Sequence, residues 1–330
     1  MKGHQFVAIG DVVTDAFIKL SKAEVKNDLE NGESTITLPF GDKIPYESVE
    51  VIHAVGNSSN AAVSAARLGL DSALVSDLGD DQNGQDCIKA LKENMVNLDH
   101  LRIHKGQETN YHYVLWYQDD RTILVKHQVY DYSLPAIESP LWIYLSSLGE
   151  HSLEYHHKIA EYIKSHPEVS LAFQPGTYQM NFGVEALKPI YENSKIFFSN
   201  IEEAERILGI STLGHEELLK RVRDLGPETV VLTDGVKGAY TYDGQEMWFI
   251  PPYPDPKPPF ERTGAGDAFA STTVAALCLD KDLPTALSWG AINSMSVVQY
   301  TGAQKGLLTR EKIEEYLKNA PENFKPQKLN

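Results

Sequence analysis

Arg262-Thr263-Gly264-Ala265-Gly266-Asp267-Ala268-Phe269 takes a glycine-rich turn straight into an apolar run, residues 268–279, that reads as a helix. Small residues let backbone N–H groups converge. At a helix N-terminus those groups lack intrahelical partners and sit at the positive end of the dipole, so the turn suits a phosphoryl oxyanion. Asp267 beside such a cradle can act as a general base, and an aspartate at a helix start also serves as an ordinary cap. Two other glycine signatures are disfavoured. A dinucleotide fingerprint, which would mean NAD(P)H chemistry, needs a third glycine and an acidic residue at a strand end. Here the turn lies late in the chain, follows the proline-rich segment Pro251-Pro252 to Pro258-Pro259, and has Asp280 and Asp282 at a helix end. A G-x-x-x-x-G-K-[ST] loop is absent.

Outward from this turn the chain alternates between two patterns. Residues 6–9 read as a buried strand ending at Gly10, and 57–70 as a helix closed by Gly69. Strand-like 73–76, helical 85–94, strand-like 142–146 and helical 156–164 follow. Then come strands at 171–173 and 196–198, a helix at 202–208 and a strand at 230–233. Such alternation implies a mostly parallel sheet covered on both faces, an α/β fold. Helical runs at 268–279, 285–298 and 310–317 close the chain. Two strand pairs stand outside this scheme: 34–38 with 49–53, and 111–117 with 123–127, the second joined at Gln118-Asp119-Asp120 like a hairpin. Polar and aromatic residues alternate in Tyr111-His112-Tyr113-Val114-Leu115-Trp116-Tyr117, which suits a sheet with one face on a ligand or partner, or an exposed hairpin with one packed face.

A chain of 330 residues is long enough for one large enzyme domain, and its net charge of −16 argues against a nucleic-acid surface. Cys87 and Cys278 lie far apart in apolar, helix-like stretches, the setting of reduced core thiols. No apolar run approaches the roughly 18 residues of a membrane span, and the N-terminal apolar run is short and interrupted by Asp11. A cytoplasmic protein without a membrane or nucleic-acid partner is the expectation.

The 262–269 turn resembles the C-terminal signature D-T-x-G-A-G-D of the ribokinase (PfkB) family. The resemblance implies a ribokinase-like three-layer α/β/α fold with a mostly parallel central sheet. It also implies one domain over 1–330 with a small β-sheet lid formed by about 16–52 and 107–128. Asp267 falls on the family's general base, and Gly264, Ala265 and Gly266 on its anion hole. Ala54-Val55-Gly56-Asn57-Ser58-Ser59-Asn60-Ala61-Ala62 resembles the N-terminal signature G-G-x-x-x-N-x-A, with Gly56 and Asn60 matching as substrate contacts. Asn57 joins them, and equally reads as a helix N-cap. Asp15 after Gly10 resembles the aspartate that binds a pair of substrate hydroxyls, with a plain surface turn as the alternative. Asn200-Ile201-Glu202-Glu203 resembles N-x-x-E, whose Asn and Glu organise phosphates and Mg²⁺ through water, although acidic residues are common in a first helical turn. Thr233, Gly235 and Gly238 match the nucleotide loop T-x-G-x-x-G, which alone would read as a hairpin turn. Asn293 and Gly302-Ala303-Gln304 fall where the family closes its adenine and monovalent-cation sites.

Four residues at three places depart from the pattern. Val55 replaces a glycine, Gln174 stands where many sugar kinases have an aspartate, and Glu261-Arg262 replaces Asp-Thr, which puts a K⁺ site in question. The activity implied is transfer of the ATP γ-phosphoryl group, with Mg²⁺, to a hydroxyl of a ribose- or fructose-like sugar. Adenosine or another nucleoside is the alternative, and a sugar phosphate would follow if Arg121, Lys126 and His127 faced inwards. A catalytically silent ligand-binding protein is the reading from another class. The lid would close over substrate, with Tyr111, Tyr113 and Trp116 either stacking on it or meeting a second lid in a homodimer.

Overall fold

The computed structural model describes residues 3–28, 33–118 and 120–329. The first strand, β1 (Phe6–Ile9), is followed by β2 (Val13–Leu20), β3 (Glu24–Asp28), β4 (Glu33–Thr37) and β5 (Tyr46–Val55) before the first helix, α1 (Asn57–Arg67). Next come β6 (Ser72–Gly79), α2 (Gln82–Glu93), β7 (Leu101–His104), β8 (Tyr111–Tyr117), β9 (Asp120–Leu124), β10 (Trp142–Leu145) and α3 (Leu153–Ser165). The middle of the chain supplies β11 (Ser170–Phe173), α4 (Thr177–Phe182), α5 (Val184–Glu192), β12 (Ile196–Asn200), α6 (Ile201–Leu208), α7 (His215–Arg223) and β13 (Thr229–Thr233). β14 (Ala239–Tyr242), β15 (Met247–Ile250), α8 (Ala265–Cys278), α9 (Leu283–Val297), α10 (Arg310–Lys318) and β16 (Gln327–Leu329) complete it.

The central sheet runs β16-β15-β14-β13-β12-β11-β10-β1-β6-β7, parallel from β13 to β7 and antiparallel at the β14–β16 edge. Its strands read as unbroken apolar runs because helices cover both faces. In β1, Phe6 and Ala8 pack into a core with α1, α8 and α9, while Val7 and Ile9 pack into the opposite core with α3, α5 and α7. Three layers result: helices, sheet, helices. α8 and α9 are buried almost all round, which explains why their sequences show so little amphipathic contrast. Both cysteines are buried and free. Burial pushes the Cys87 thiol up to about 11, the setting of an inert core thiol.

A separate four-stranded sheet, β5-β2-β8-β9, stands beside this frame, and β3 pairs with β4 alone. Segment 34–38 was expected to pair with 49–53. Instead β4 takes β3 as its partner, and 49–53 lies within β5, which pairs antiparallel with β2. Alternation betrays a strand but not its partner, and β2, most of which falls in the 16–52 lid segment, carries no alternation that marks it as the partner of 49–53. β8 and β9 do pair antiparallel, with Tyr117 opposite Asp120, and Asp119 lies outside the described residues. Register across this sheet separates two faces. Val51, Ala16, Tyr113 and Leu124 form one row and Phe17, Val114 and Ile123 the next, so Tyr113 looks outward while its neighbours turn towards the frame. Among the described residues no helix is long and apolar enough to cross a membrane.

Candidate active site

α8 begins where Gly264 adopts a φ of +79°, a left-handed conformation that glycine reaches at little cost. A Cβ there would stand 2.3 Å from the Cβ of Ala303, so the loop after α9 lies directly on the turn. The Ala265 N–H turns back to the Arg262 carbonyl at 3.4 Å, and Ala268 makes the first regular helical bond, to Gly264 at 2.8 Å. Between them, the N–H groups of Gly266 and Asp267 have no backbone acceptor among the described residues. Gly266 has open space where a side chain would go. Asp267 is the third residue of the helix and not its cap, since Gly264 holds the cap position and no side chain caps this end.

Three amides grip the Asp267 carboxylate. Asn57 and Gln174 donate to Oδ1 at 3.0 and 3.2 Å, and Asn60 donates to Oδ2 at 2.8 Å. Two of these amides are themselves aimed. Gln304 donates to the Asn60 carbonyl oxygen at 3.0 Å, and the Tyr144 hydroxyl donates to that of Gln174, so each turns its NH₂ towards the acid. Gln174, a departure from the family pattern, thus has a definite task. Asn57 lies in the first turn of α1 without capping it. Although the carboxylate opens on a cavity, desolvation raises its pKa from the ordinary aspartate value, outweighing the amide donors and the charge of Arg121.

The cavity beside Asp267 encloses about 390 Å³ and is lined by Asp11, Asp15, Gly56, Asn57, Asn60, His112 and His127, with Phe17, Ile123 and Tyr178 as apolar walls. Among the described residues no lysine or arginine lines it. Asp15 belongs to strand β2, not to a turn, and faces its cross-strand partner His112 with 3.3 Å between Oδ1 and Nδ1. Asp11 is 4% exposed; it accepts from the Tyr132 hydroxyl at 3.0 Å on both oxygens and approaches His127 Nδ1 at 3.1 Å. Tyr111, Tyr113 and Trp116 do not line this cavity. Trp116 packs edge-on to Phe260 at 5.4 Å, and Lys126 turns outward to Glu108. Asp11, His112 and Tyr178 escaped the sequence reading. Asp11 registered only as a break in an apolar run, and nothing local told which face of β8 would meet the cavity.

A second cavity, of about 400 Å³, lies across the turn and is lined by Thr233, Gly235, Gly238, Ala265 and Gly266, with Ile250, Pro252, Ala291, Met295 and Val298 as apolar walls. The 264–267 turn therefore partitions two cavities, with Asp267 on one side and Ala265 and Gly266 on the other. Asn200 and Glu203 line neither; they form a reciprocal capping box, with Glu203 N–H to Asn200 Oδ1 at 2.7 Å and Asn200 N–H to Glu203 Oε2 at 3.0 Å. Burial raises the Glu203 carboxyl, and the nearby Asp267 charge adds to this against the pull of the Asn200 N–H. Asn293 is fully buried, donating to Thr272 at 2.7 Å and accepting from the Leu308 N–H at 2.9 Å; its neighbour Ser294 meets the second cavity instead. Glu261 is buried and ties two loops, accepting from the Thr263 N–H at 2.5 Å and the Gly302 N–H at 3.1 Å. Among the described residues no group of three or more Asp, Glu, His or Cys could hold a metal ion.

Comparison with known proteins agrees with this frame. Residues 23–310 match the model of the pfkB family carbohydrate kinases. The chain is 27% identical over 272 residues to a ribokinase of Bacillus subtilis, covering 79% of this chain and 87% of that protein. It is 26% identical over 268 residues to a nucleoside kinase of Methanocaldococcus jannaschii, covering 79% and 84%. The structure of Arabidopsis thaliana ribokinase complexed with ribose and ATP superposes with a TM-score of 0.79 at 19% identity, over 96% of this chain and 99% of that one. The three-layer frame with its small separate sheet is thus ribokinase-like, and the chain belongs to the pfkB family of carbohydrate kinases, a phosphotransferase acting on a sugar or a nucleoside.

Proposed function

We propose that the protein transfers the γ-phosphoryl group of ATP to a hydroxyl of a neutral, ribose- or fructose-like sugar held in the Asp267 cavity. The observation that carries this reading is the partition: one carboxylate and two open backbone N–H groups stand at the seam between two cavities. Asp267 is the base. Its Oδ1 already accepts two amide bonds and its Oδ2 only one, so Oδ2 has the lone pair to spare for the attacking hydroxyl. The raised carboxyl pKa strengthens it as a base while the amides favour its charged form and aim it. Charge developing on the transferred group falls at the N-terminus of α8, where the Gly264-Ala265-Gly266 turn presents the open N–H groups of Gly266 and Asp267 as the anion hole.

ATP fits the second cavity, with its phosphates along Thr233, Gly235 and Gly238 and its base between the apolar walls. Mg²⁺ takes one or two carboxylates besides phosphates and water, and the half-buried Glu203, with Oε1 spare after its capping bond, fits a contact through water. The metal would supply charge neutralisation on the phosphates. Asn200 contributes by fixing Glu203. Glu261 and Arg262 replace the Asp-Thr of the family pattern, and Glu261 is turned to tying two loops together through the Thr263 and Gly302 N–H groups, so no K⁺ is included in this reading.

Two features of the acceptor cavity favour a neutral sugar over a sugar phosphate. It carries Asp11, Asp15 and Asp267, and among the described residues no lysine or arginine lines it to fix a second phosphate, the charge of Arg121 being felt at Asp267 from outside the lining. Asp15 and Gly56, with Asn57 and Asn60 behind the base, complete the substrate surface. The four-stranded sheet acts as a lid, excluding water from the transfer. Its outer row leaves Val49, Val51, Tyr113 and Leu124 at 44–51% exposure, a face suited to a second lid in a homodimer. A coupled ADP-release assay over ribose, fructose, their phosphates and adenosine tests the whole reading. Turnover with a free sugar is the expected result, preference for adenosine would move the reading to a nucleoside kinase, and binding without turnover would make the protein a ligand sensor.

A further inference from the structure

We propose that His127 is a specificity residue of the acceptor cavity, its Nε2 accepting a hydrogen bond from one substrate hydroxyl, with Asp11 and Tyr132 as the residues that position it. The inference rests on the kinase reading above. His127 lines the cavity with 14% of its side chain exposed, and its Nδ1 lies 3.1 Å from Asp11 Oδ2. An ionised carboxylate can only accept, so in the neutral ring the proton sits on Nδ1 and the lone pair on Nε2. Nε2 has no hydrogen-bond partner among the described residues and is not sealed from the cavity.

Asp11 is held in turn. The Tyr132 hydroxyl donates to both its oxygens, accepts from the Gly149 N–H at 3.1 Å, and is fixed by stacking of its ring on Tyr155 at 5.6 Å. Tyr178 meets the His127 ring edge-on at 5.7 Å from the other side. A chain of aromatic and polar contacts thus fixes both the orientation and the tautomer of one imidazole at a substrate surface. That arrangement asks for a proton donor: a hydroxyl pairs with Nε2, whereas a carbonyl or phosphate oxygen leaves it unpaired beside three carboxylates. No family motif in the sequence covers His127, and Asp11 lies between Gly10 and Asp15 without being a matched position.

The test starts from whichever of ribose, fructose or adenosine the wild type phosphorylates best, and measures that acceptor and its monodeoxy analogues on His127→Phe, His127→Gln and Asp11→Asn. One monodeoxy analogue is expected to lose about 100-fold in kcat/KM on the wild type and less than about threefold on His127→Phe, the coupling of a single paired contact. His127→Gln, which restores an acceptor near the Nε2 position, recovers part of the discrimination. Asp11→Asn releases the tautomer and raises acceptor KM by about tenfold while kcat and the KM for ATP stay within about threefold. Nitrogen-15 NMR of the wild type should show His127 protonated on Nδ1. If His127→Phe shifts the parent sugar and every deoxy analogue by one common factor, or if the NMR signal reports the Nε2-protonated ring, the assignment is overturned with the kinase reading intact. Absence of wild-type turnover on the whole panel overturns the kinase reading itself.

Discussion

The two cavities on either side of Asp267 are built from different materials. The one assigned to the nucleotide is lined by backbone and small or apolar residues, Gly235, Gly238, Ala265, Gly266 and Ala291 among them. Side chains from distant strands and loops line the one assigned to the acceptor: Asp11, Asp15, Asn60, His112 and His127. A phosphate is the same in every ATP, so main-chain N–H groups at a helix end suffice to hold it. Sugars differ from one another in the placing of hydroxyls, and only side chains of chosen length and polarity can read that. The nucleotide side can therefore be recognised by glycine spacing alone, while the acceptor side varies with the side chains that the lid brings in.

The sharpest way to break this contrast is at the seam. Asp267→Asn should lower kcat by about three or more powers of ten while the KM for ATP stays within about tenfold, measured by ADP release, because the base acts in the transition state and not in nucleotide binding. Turnover equal to the wild type would remove the base. Gly264→Val strikes the backbone side. Its Cβ would meet Ala303 at 2.3 Å in a conformation with φ of +79°, which costs about 1–3 kcal/mol in strain. We expect a lower Tm and a loss of about 100-fold in kcat/KM, read by calorimetry and steady-state kinetics.

Gln174→Leu sharpens the acceptor side with a smaller effect. If Asp267 is the base, activity should fall with decreasing pH as its carboxylate, whose pKa burial raises, takes up a proton. Removing the Gln174 donor withdraws support from the charged form, so the acid limb of the kcat/KM profile should move to higher pH, with turnover down about tenfold below it. An unmoved limb would mean that Gln174 does not bear on the base. The gentlest change lies on the outer face of the lid. If the lid pairs two copies, the wild type should sediment as a dimer in analytical ultracentrifugation and Val51→Glu with Tyr113→Glu as a monomer, with kcat altered by less than about twofold, since neither residue lines either cavity.

Legibility in the sequence followed the same division. The glycine turn before Asp267, the Thr233-Asp234-Gly235 loop and the Asn57 to Asn60 stretch were visible because each is a short local pattern whose residue types are tied to a backbone shape. Asn200-Ile201-Glu202-Glu203 was visible too, and the structure shows the capping box that its spacing encodes. Asn293 illustrates the limit. Every residue of α9 around it is apolar or small, so the helix face that meets the cavity could not be told, and it is Ser294 that lines it. His112 was seen as part of an alternating strand, but only the pairing of β8 with β2 sets it opposite Asp15.

By itself the amino-acid order determined the α/β alternation, the double-sided burial of the central strands and the glycine turn that opens α8, because these depend on periodicity and on the φ that glycine alone takes freely. Tertiary structure alone decided that β2 and not 34–38 pairs with 49–53, that Gln174 and Asn60 converge on one carboxylate, and that Asp11 and His127 meet across 116 residues. Contacts of that kind arise from how the strands cross and stack, and no local pattern carries the register that brings them together.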